Sequence, residues 1–387
     1  MVDRVVGAPR PASVSLVNNP RIRSLAVQII LVLAIGYVGW SFVENARANL
    51  AARGIATGFG ITQTLIPYSE TSTYGRAFLA GLLNTLLVAG IGVVLATILG
   101  FAIGIARLSS NFLLSRLAGA YVELMRNLPL LLQIFFWYIA VLGALPGPRQ
   151  SVSLFNAFFL NNRGVIMPEP IFADGAGTVG IAFIAGILLT LAIRFWARRR
   201  QMNTGQQFPV GLTGVVLILG LPLAVFAATG APVSFTLPEL RGFNFVGGVR
   251  IIPEFAALLV ALVTYTAAFI AEIVRAGVLA VSRGQTEAAY SLGLRPRPTL
   301  RLVVVPQALR VIIPPLTSQY LNLTKNSSLA AGIGYPDFFY VFAGTTLNQT
   351  GQAIEIIAIT MGVYLTISLV TSAFMNWYNS RQALVER

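Results

Sequence analysis

The 387-residue chain contains no cysteine, no histidine and a single lysine, Lys325. Without cysteine there is no disulfide and no thiol chemistry. Without histidine as well, zinc sites, histidine acid–base relays and Ser-His-Asp triads cannot be assembled from this chain alone. No Gly-x-x-x-x-Gly-Lys-Ser/Thr loop surrounds the one lysine, so the chain carries no P-loop for ATP. If ATP drives this protein, another subunit hydrolyses it. Charge of either sign is scarce too, at 10% of residues, against about a quarter in soluble domains.

What remains is apolar. Hydrophobic residues make up 56% of the chain and the mean hydropathy is +0.76. Several stretches reach the roughly 20 apolar residues that cross a bilayer. The pattern predicts an all-α polytopic membrane protein with eight spans, at 24–43, 78–106, 126–145, 177–196, 209–229, 255–279, 309–333 and 353–377.

The net charge of +14 raises nucleic acid as a partner, and the positions of the arginines exclude it. With the N-terminus in the cytoplasm, the inner loops hold 18 arginines, among them Arg107, Arg116, Arg198, Arg199, Arg200, Arg275, Arg283, Arg295, Arg297 and Arg301. Arg126 sits at the inner end of the third predicted span, and the outer loops hold only 7. Those outer loops instead collect acids such as Glu169, Asp174, Glu239 and Asp337. This is the positive-inside bias of a membrane protein, with both termini cytoplasmic. The first apolar stretch, at about twenty residues, is too long for an ordinary signal-peptide core and reads as a retained span.

Residues 44–76 read as an outer-surface amphipathic segment. Residues 146–176 and 230–252 are Gly-, Pro- and Asn-rich outer loops flanking the 177–229 hairpin. The predicted organisation is an N-terminal region 1–76, a first core part 77–145, an inserted block 146–252, and a second core part 253–387.

One inner loop stands out. Ser282 with Gln285 has the form of a capping box. It predicts a helix through Glu287, Ala288, Ala289 and Leu292, stopped at Gly293 in the left-handed conformation. Pro296 and Pro298 suit the first turn of a second helix. Small residues allow a partner's surface to approach, Leu292 offers an apolar knob, and the flanking arginines suit an acidic groove. A connector resting on anionic lipid headgroups accounts for the same residues. Both readings stay open on these signals alone.

Glu287-Ala288-Ala289, with Gly293 four residues on and an apolar stretch ending in Pro306, resembles the EAA loop of ABC importer permeases. Further motifs resemble their polar amino-acid (histidine/glutamine-type) branch: Asn84-Thr85, Tyr121-Val-Glu123-Leu-Met-Arg126-Asn127-Leu-Pro129, Thr264 through Glu272 and Arg275 to Gly277, and Lys325-Asn326-Ser327-Ser328 after Pro314-Pro315. The extra first span and the 146–252 block are similar to the general L-amino-acid (glutamate/glutamine/aspartate/asparagine) permeases of proteobacteria. The resemblance implies a type I importer core with a coupling loop at 281–306. It implies no cofactor on this chain, with ATP and Mg bound by two copies of a separate ATPase subunit. It further implies a second, non-identical permease, a periplasmic amino-acid-binding protein, and a place in the bacterial inner membrane.

Charges inside the spans are costly, roughly 3 kcal/mol on insertion scales, unless paired or hydrated. Lys325, with Asn326, Ser327 and Ser328, is therefore a substrate-path candidate suited to a carboxylate, or a structural partner for another helix. Asn84 is a weaker candidate of the same kind. Glu272 with Arg275, and Glu123 with Arg126, have the spacing of ion pairs on one helix face. An ion-coupled carrier would place ionisable groups at the midplane and show an internal repeat, and no clear repeat is present.

Overall fold

The computed structural model of the chain describes residues 73–382 and scattered positions between 30 and 44. The predicted N-terminal tail 1–23, most of the first span 24–43 and residues 45–72 of the predicted amphipathic segment 44–76 lie outside the described residues, and the end of that segment, from Tyr74, already belongs to the first long helix. The described positions between 30 and 44 are helical. The chain divides into two units, one of residues 1–81 with 341–365, the other of residues 82–340 with 366–387.

Helix α1, Tyr74–Arg107, is a 34-residue apolar rod about 50 Å long at ~1.5 Å per residue. Asn111 then caps α2, Phe112–Asn127, its side chain accepting from the Leu114 N–H at 3.1 Å. This stretch reads in the sequence as an inner loop, and it forms an amphipathic helix burying Ala118 and Val122. It stops because Leu128 precedes Pro129, whose ring disfavours helical geometry at the residue before it; Leu128 is extended, with φ −92° and ψ 129°. The next helix leaves at 106° to α2.

That next helix is α3, Leu130–Phe135, continued by a π-helical segment, Phe136–Leu142. The predicted third span, 126–145, is thus shorter than expected. At helical rise it extends about 20 Å, against roughly 30 Å of hydrocarbon. It is long enough to cross only together with α2. Buried Gln133 secures the bend, donating to the Met125 and Leu128 carbonyls at 3.0 and 3.1 Å.

The two Gly/Pro/Asn-rich loops carry short antiparallel strands. These are β1 Val152–Leu154, β2 Phe158–Asn161, β3 Gly164–Met167 and β4 Glu169–Phe172 in the first, and β5 Val233–Thr236, β6 Glu239–Arg241, β7 Asn244–Val246 and β8 Val249–Ile251 in the second. A four-stranded sheet runs in the order β1-β2-β3-β8, and β4-β5 and β6-β7 form separate pairs. The two loops therefore fold with each other across the hairpin they enclose. That hairpin is α4, Ala176–Thr204, with α5, Val210–Val215, a π-helical turn Val216–Gly220, and α6, Leu221–Ala228. Gly205, at φ +70°, ends α4 and lets the chain reverse.

Helix α7, Pro253–Leu279, is the axis of the core and buries twelve of its residues. Small residues let its neighbours close in. A Cβ on Gly100 would lie 2.6 Å from Ile270 Cβ, and one on Gly104 would lie 2.8 Å from the Ala271 carbonyl oxygen. Gly277 makes a similarly close approach to Ile312. Beyond α7 come α8, Arg283–Ser291, and α9, Pro296–Thr299. A π-helical segment, Leu300–Val304, then leads into α10, Val305–Asn326, and a 3-10 stretch, Ser327–Ile333. The predicted span 309–333 is the later part of this longer helical run. In the other unit lie most of a π-helical segment, Phe339–Thr346, then α11, Leu347–Thr350, and the first part of α12, Ala353–Gln382, the helix that closes the described chain. Within that unit Tyr74 donates to Gln349 Oε1 at 3.1 Å, and Phe78 meets Phe342 edge-on at 5.4 Å.

Among the described residues, six helical runs are long and apolar enough to cross a membrane, and the bent α2–α3 pair adds a seventh. The chain is a multi-pass helical membrane protein.

Candidate functional site

The predicted inner loop forms the two short helices expected, with a different cap. Ser282 precedes α8 without a side-chain capping bond, so the capping box is not made. The Gln285 side chain is used elsewhere: its Oε1 accepts from Gln307 Nε2 at 3.2 Å, tying α8 to the first turns of α10. The far end follows expectation. Gly293 takes φ +76°. Its N–H donates to the Tyr290 carbonyl at 2.9 Å and the Leu294 N–H donates to the Ala289 carbonyl at 3.1 Å. These two bonds satisfy the last carbonyls of a short helix and fix the angle at which the chain leaves it.

The module has two faces. Ala289 is buried, so it supports α8 from within and is not open to a partner. Glu287 and Ala288 are exposed, Tyr290 is 48% exposed and Leu292 is 82% exposed. Arg283, Arg295, Arg297 and Arg301 surround them and are also exposed. Behind the module lies an apolar cavity of about 560 Å³, walled by residues such as Ile105, Leu114, Val278 and Leu309.

A charged clamp sits where α1 meets α7. Glu272 accepts from Arg275 Nη2 at 2.6 Å and from Arg275 Nε at 3.2 Å, and it also pairs with Arg107 at the end of α1. All three side chains are mostly withdrawn from solvent, at 17% to 33% exposure. Sequence spacing finds Glu272 with Arg275 but misses Arg107, which is 165 residues from Glu272. Tyr121 adds a second tie, its hydroxyl donating to the Thr264 carbonyl at 2.7 Å and fastening α2 to α7. Nothing local in the sequence announces it.

The other expected pair is not formed. Glu123 is exposed and makes no ion pair among the described residues, and Arg126 lies over the Phe269 ring at 5.3 Å. The aromatic face offers the guanidinium a partner without fixing two long side chains against each other in water.

The polar residues around Lys325 divide. Lys325 is exposed in the last turn of α10, with no side-chain partner among the described residues. The helix dipole favours a cation there. Ser327 is buried and donates to the Thr324 carbonyl at 2.8 Å; Ser328 donates to the Lys325 carbonyl at 2.8 Å. Both hydroxyls thus close the end of α10, and Asn326 beside them is half-buried. Asn84 donates to the Pro336 carbonyl at 2.8 Å. Its neighbour Thr85 accepts from the Phe338 N–H at 2.9 Å, so the Asn84-Thr85 step of α1 holds the turn after the 3-10 stretch.

A helical membrane core with a small, basic, solvent-exposed helix pair between its long helices defines a multi-pass membrane protein. The family model described as "Binding-protein-dependent transport system inner membrane component" matches residues 213–383. The permease protein YhdX of Escherichia coli K12 is 55% identical over 379 residues, covering 95% of this chain and 96% of that protein. The general L-amino acid transport system permease protein AapQ of Rhizobium johnstonii is 53% identical over 383 residues, with 96% and 95% covered. The glutamate/glutamine/aspartate/asparagine transport system permease protein BztB of Rhodobacter capsulatus is 43% identical over 413 residues, with 96% of each covered. The chain belongs to the amino-acid ABC transporter permeases.

Proposed function

We infer that the protein is one membrane-spanning half of an ATP-driven, binding-protein-dependent importer of polar L-amino acids in the bacterial inner membrane. The observation that carries this reading is similarity along nearly the whole chain to permeases such as AapQ and BztB, named for that cargo. A binding protein delivers the amino acid at the outer face of two paired, non-identical permeases. Two ATPase subunits, holding ATP and Mg, close on the inner side. Both termini of this chain face the cytoplasm. The block 146–252 is an insertion between core parts 77–145 and 253–387.

The coupling element in this reading is the exposed surface of α8: Glu287, Ala288, Tyr290 and Leu292, with Gly293 fixing the exit and Ala289 anchoring the helix from behind. A push on α8 has a rigid route inward. Gln285 ties α8 to Gln307 at the start of α10. Helix α10 packs against α7 with almost no gap at Gly277 and Ile312, and Glu272 joins α7 to α1 through Arg107. Close-packed helices transmit displacement because they cannot absorb it. Lys325 is the candidate for a substrate carboxylate on the path, since a charged side chain with no partner among the described residues is an expensive group to keep in a membrane without such a role. Asn326 stands beside it; Asn84, Ser327 and Ser328 shape the neighbouring backbone.

Isolation of the chain from its native membrane in mild detergent tests the reading. Co-purification of a nucleotide-binding subunit and a second permease is expected. A chain that purifies alone and catalyses uptake in liposomes without ATP would overturn it in favour of an ion-coupled carrier.

A further inference from the structure

The inserted block contains a cationic cleft that the importer reading does not use. Arg163 sits in the tight turn between β2 and β3. Buried Asn161 holds that turn, accepting from the Arg163 N–H at 2.9 Å and donating to Ser151 Oγ at 2.9 Å. The register of β3 on β8 pairs Ile166 with Arg250. Directly opposed residues of an antiparallel pair project from the same face, so the Arg250 side chain rises beside Ile166. Gly247 and Gly248, at φ +76° and +74°, turn the chain between β7 and β8 and bring Asn244 and Phe245 to the same place. The result is a cleft of about 370 Å³ with Arg163, Arg250 and Asn244 as its polar groups and Ile166, Phe245 and Pro148 among its apolar walls. A smaller hollow of about 220 Å³ shares Arg163 and adds Arg149.

The charge here is uncompensated. Arg241 pairs with Glu239 at 3.1 Å, but none of Arg149, Arg163 and Arg250 meets a carboxylate among the described residues. Two of the three are nevertheless held in position. Arg163 donates to the Asn244 side-chain oxygen. Arg149 lies 3.9 Å from the Phe243 ring centre and donates to the Gly242 carbonyl at 3.3 Å. Each guanidinium has five N–H donors, so among the described residues most of them remain free, and the Arg250 guanidinium donates to no group there. Like charges gathered around a cleft repel unless an anion joins them. Their planar forks match a carboxylate, the Asn244 amide nitrogen is a further donor, and the cleft lies within the size range of small-ligand sites, roughly 300–1,000 Å³.

We propose that the cleft formed by Arg163, Arg250 and Asn244 is a carboxylate-binding site separate from the transport path. The proposal draws on the importer reading only for the source of the carboxylate: a free amino acid, or an Asp or Glu side chain presented by a delivering protein. Binding itself is independent of whether the chain couples to an ATPase.

Because the chain has no cysteine, a Val246→Cys substitution beside the cleft gives a single site for an environment-sensitive fluorophore. The labelled full-length protein, in lipid nanodiscs, is titrated with L-glutamate and separately with an N-acetylated, C-amidated tetraglutamate peptide. A saturable signal with either probe is expected, weakened about tenfold or more by R163Q/R250Q, as the loss of charge-assisted hydrogen bonds requires. R241Q, which removes an arginine already paired, should leave it unchanged. Saturation by L-glutamate identifies a free amino acid as the source, and saturation by the peptide alone identifies an acidic partner surface. Failure of both probes to bind, or equal binding by R163Q/R250Q, would overturn the proposal. Should the double variant fail to fold, Arg250→Lys keeps the charge and loses the fork: weaker binding supports the site, and unchanged binding refutes it. None of these outcomes bears on ATPase recovery in the pull-down, so the two readings fail separately.

Discussion

Helix α7 and the hairpin helix α4 are of similar hydropathy and length, yet 56% of the apolar window of α7 is buried within the chain against 11% for α4 and 6% for the returning arm at 210–228. Hydropathy decides that a segment enters the bilayer, and it leaves open whether that segment faces protein or lipid. Side-chain size supplies the rest. Helix α7 presents Ala257, Ala261, Ala267, Ala268, Ala271 and Gly277 on its buried surfaces. Without a hydrophobic drive between helices in lipid, close approach across such small residues is what holds a bundle together. The hairpin buries Ala182, Gly186 and Gly214 where its two arms meet, and its leucines and phenylalanines remain outward. The core helix packs closely against its neighbours, and the hairpin leaves most of its apolar surface uncovered by the rest of the described chain.

This contrast can be broken most severely by substituting glycine. Gly100→Leu, which drives a side chain into Ile270 and the Ala267 carbonyl, should cost about 3 kcal/mol or more. It would appear as loss of monodisperse folded protein in size-exclusion chromatography. Gly180→Leu in the hairpin meets nothing within 4 Å and should change stability by less than about 0.5 kcal/mol; equal losses in the two variants would erase the distinction. Next in size is Glu272→Ala, which leaves Arg107 and Arg275 facing each other without their shared carboxylate. The clamp is partly solvated, so the expected loss of about 1–3 kcal/mol is below that of a fully buried pair, and thermal unfolding in detergent measures it. Gly293→Ala should cost about 1 kcal/mol through the left-handed backbone at that residue and lower ATPase stimulation by altering how the chain leaves α8. The smallest effect belongs to Arg241→Ala, whose ion pair is 70% and 67% exposed on its two sides and contributes under about 0.5 kcal/mol.

The spans were legible because length and apolarity are one-dimensional properties: the sequence places 78–106, 177–196, 255–279 and 353–377 within the observed helices α1, α4, α7 and α12, and 209–229 overruns α5 with α6 by one residue at each end. The third span was not, since its apolar run continues through Leu128-Pro129 while the backbone bends there. The strands were hidden as well. At three or four residues each they are too short to show alternation, and their pairing depends on contacts across the hairpin. In the α8–α9 module, Gly293 was readable from the unusual backbone a helix stop requires, but the capping box was not, because Gln285 finds a partner in Gln307, 22 residues away. The same limit separates Glu272 and Arg275, found from their spacing, from Arg107, which only the fold brings near. For Glu123 and Arg126 the spacing misled, since Phe269 offers the arginine a different contact.

The most direct test of the account is ATP-dependent uptake in proteoliposomes, with the chain reconstituted alongside its co-purifying subunits and with Leu292→Asp in parallel. Leu292, the residue that follows α8, is 82% exposed, so its replacement should leave folding intact while opposing an apolar contact with a partner. The account predicts amino-acid uptake that requires ATP in the wild-type complex and is lost, together with stimulated ATP hydrolysis, in the variant. Uptake that proceeds without ATP, or a Leu292→Asp complex that transports as well as wild type, would contradict it.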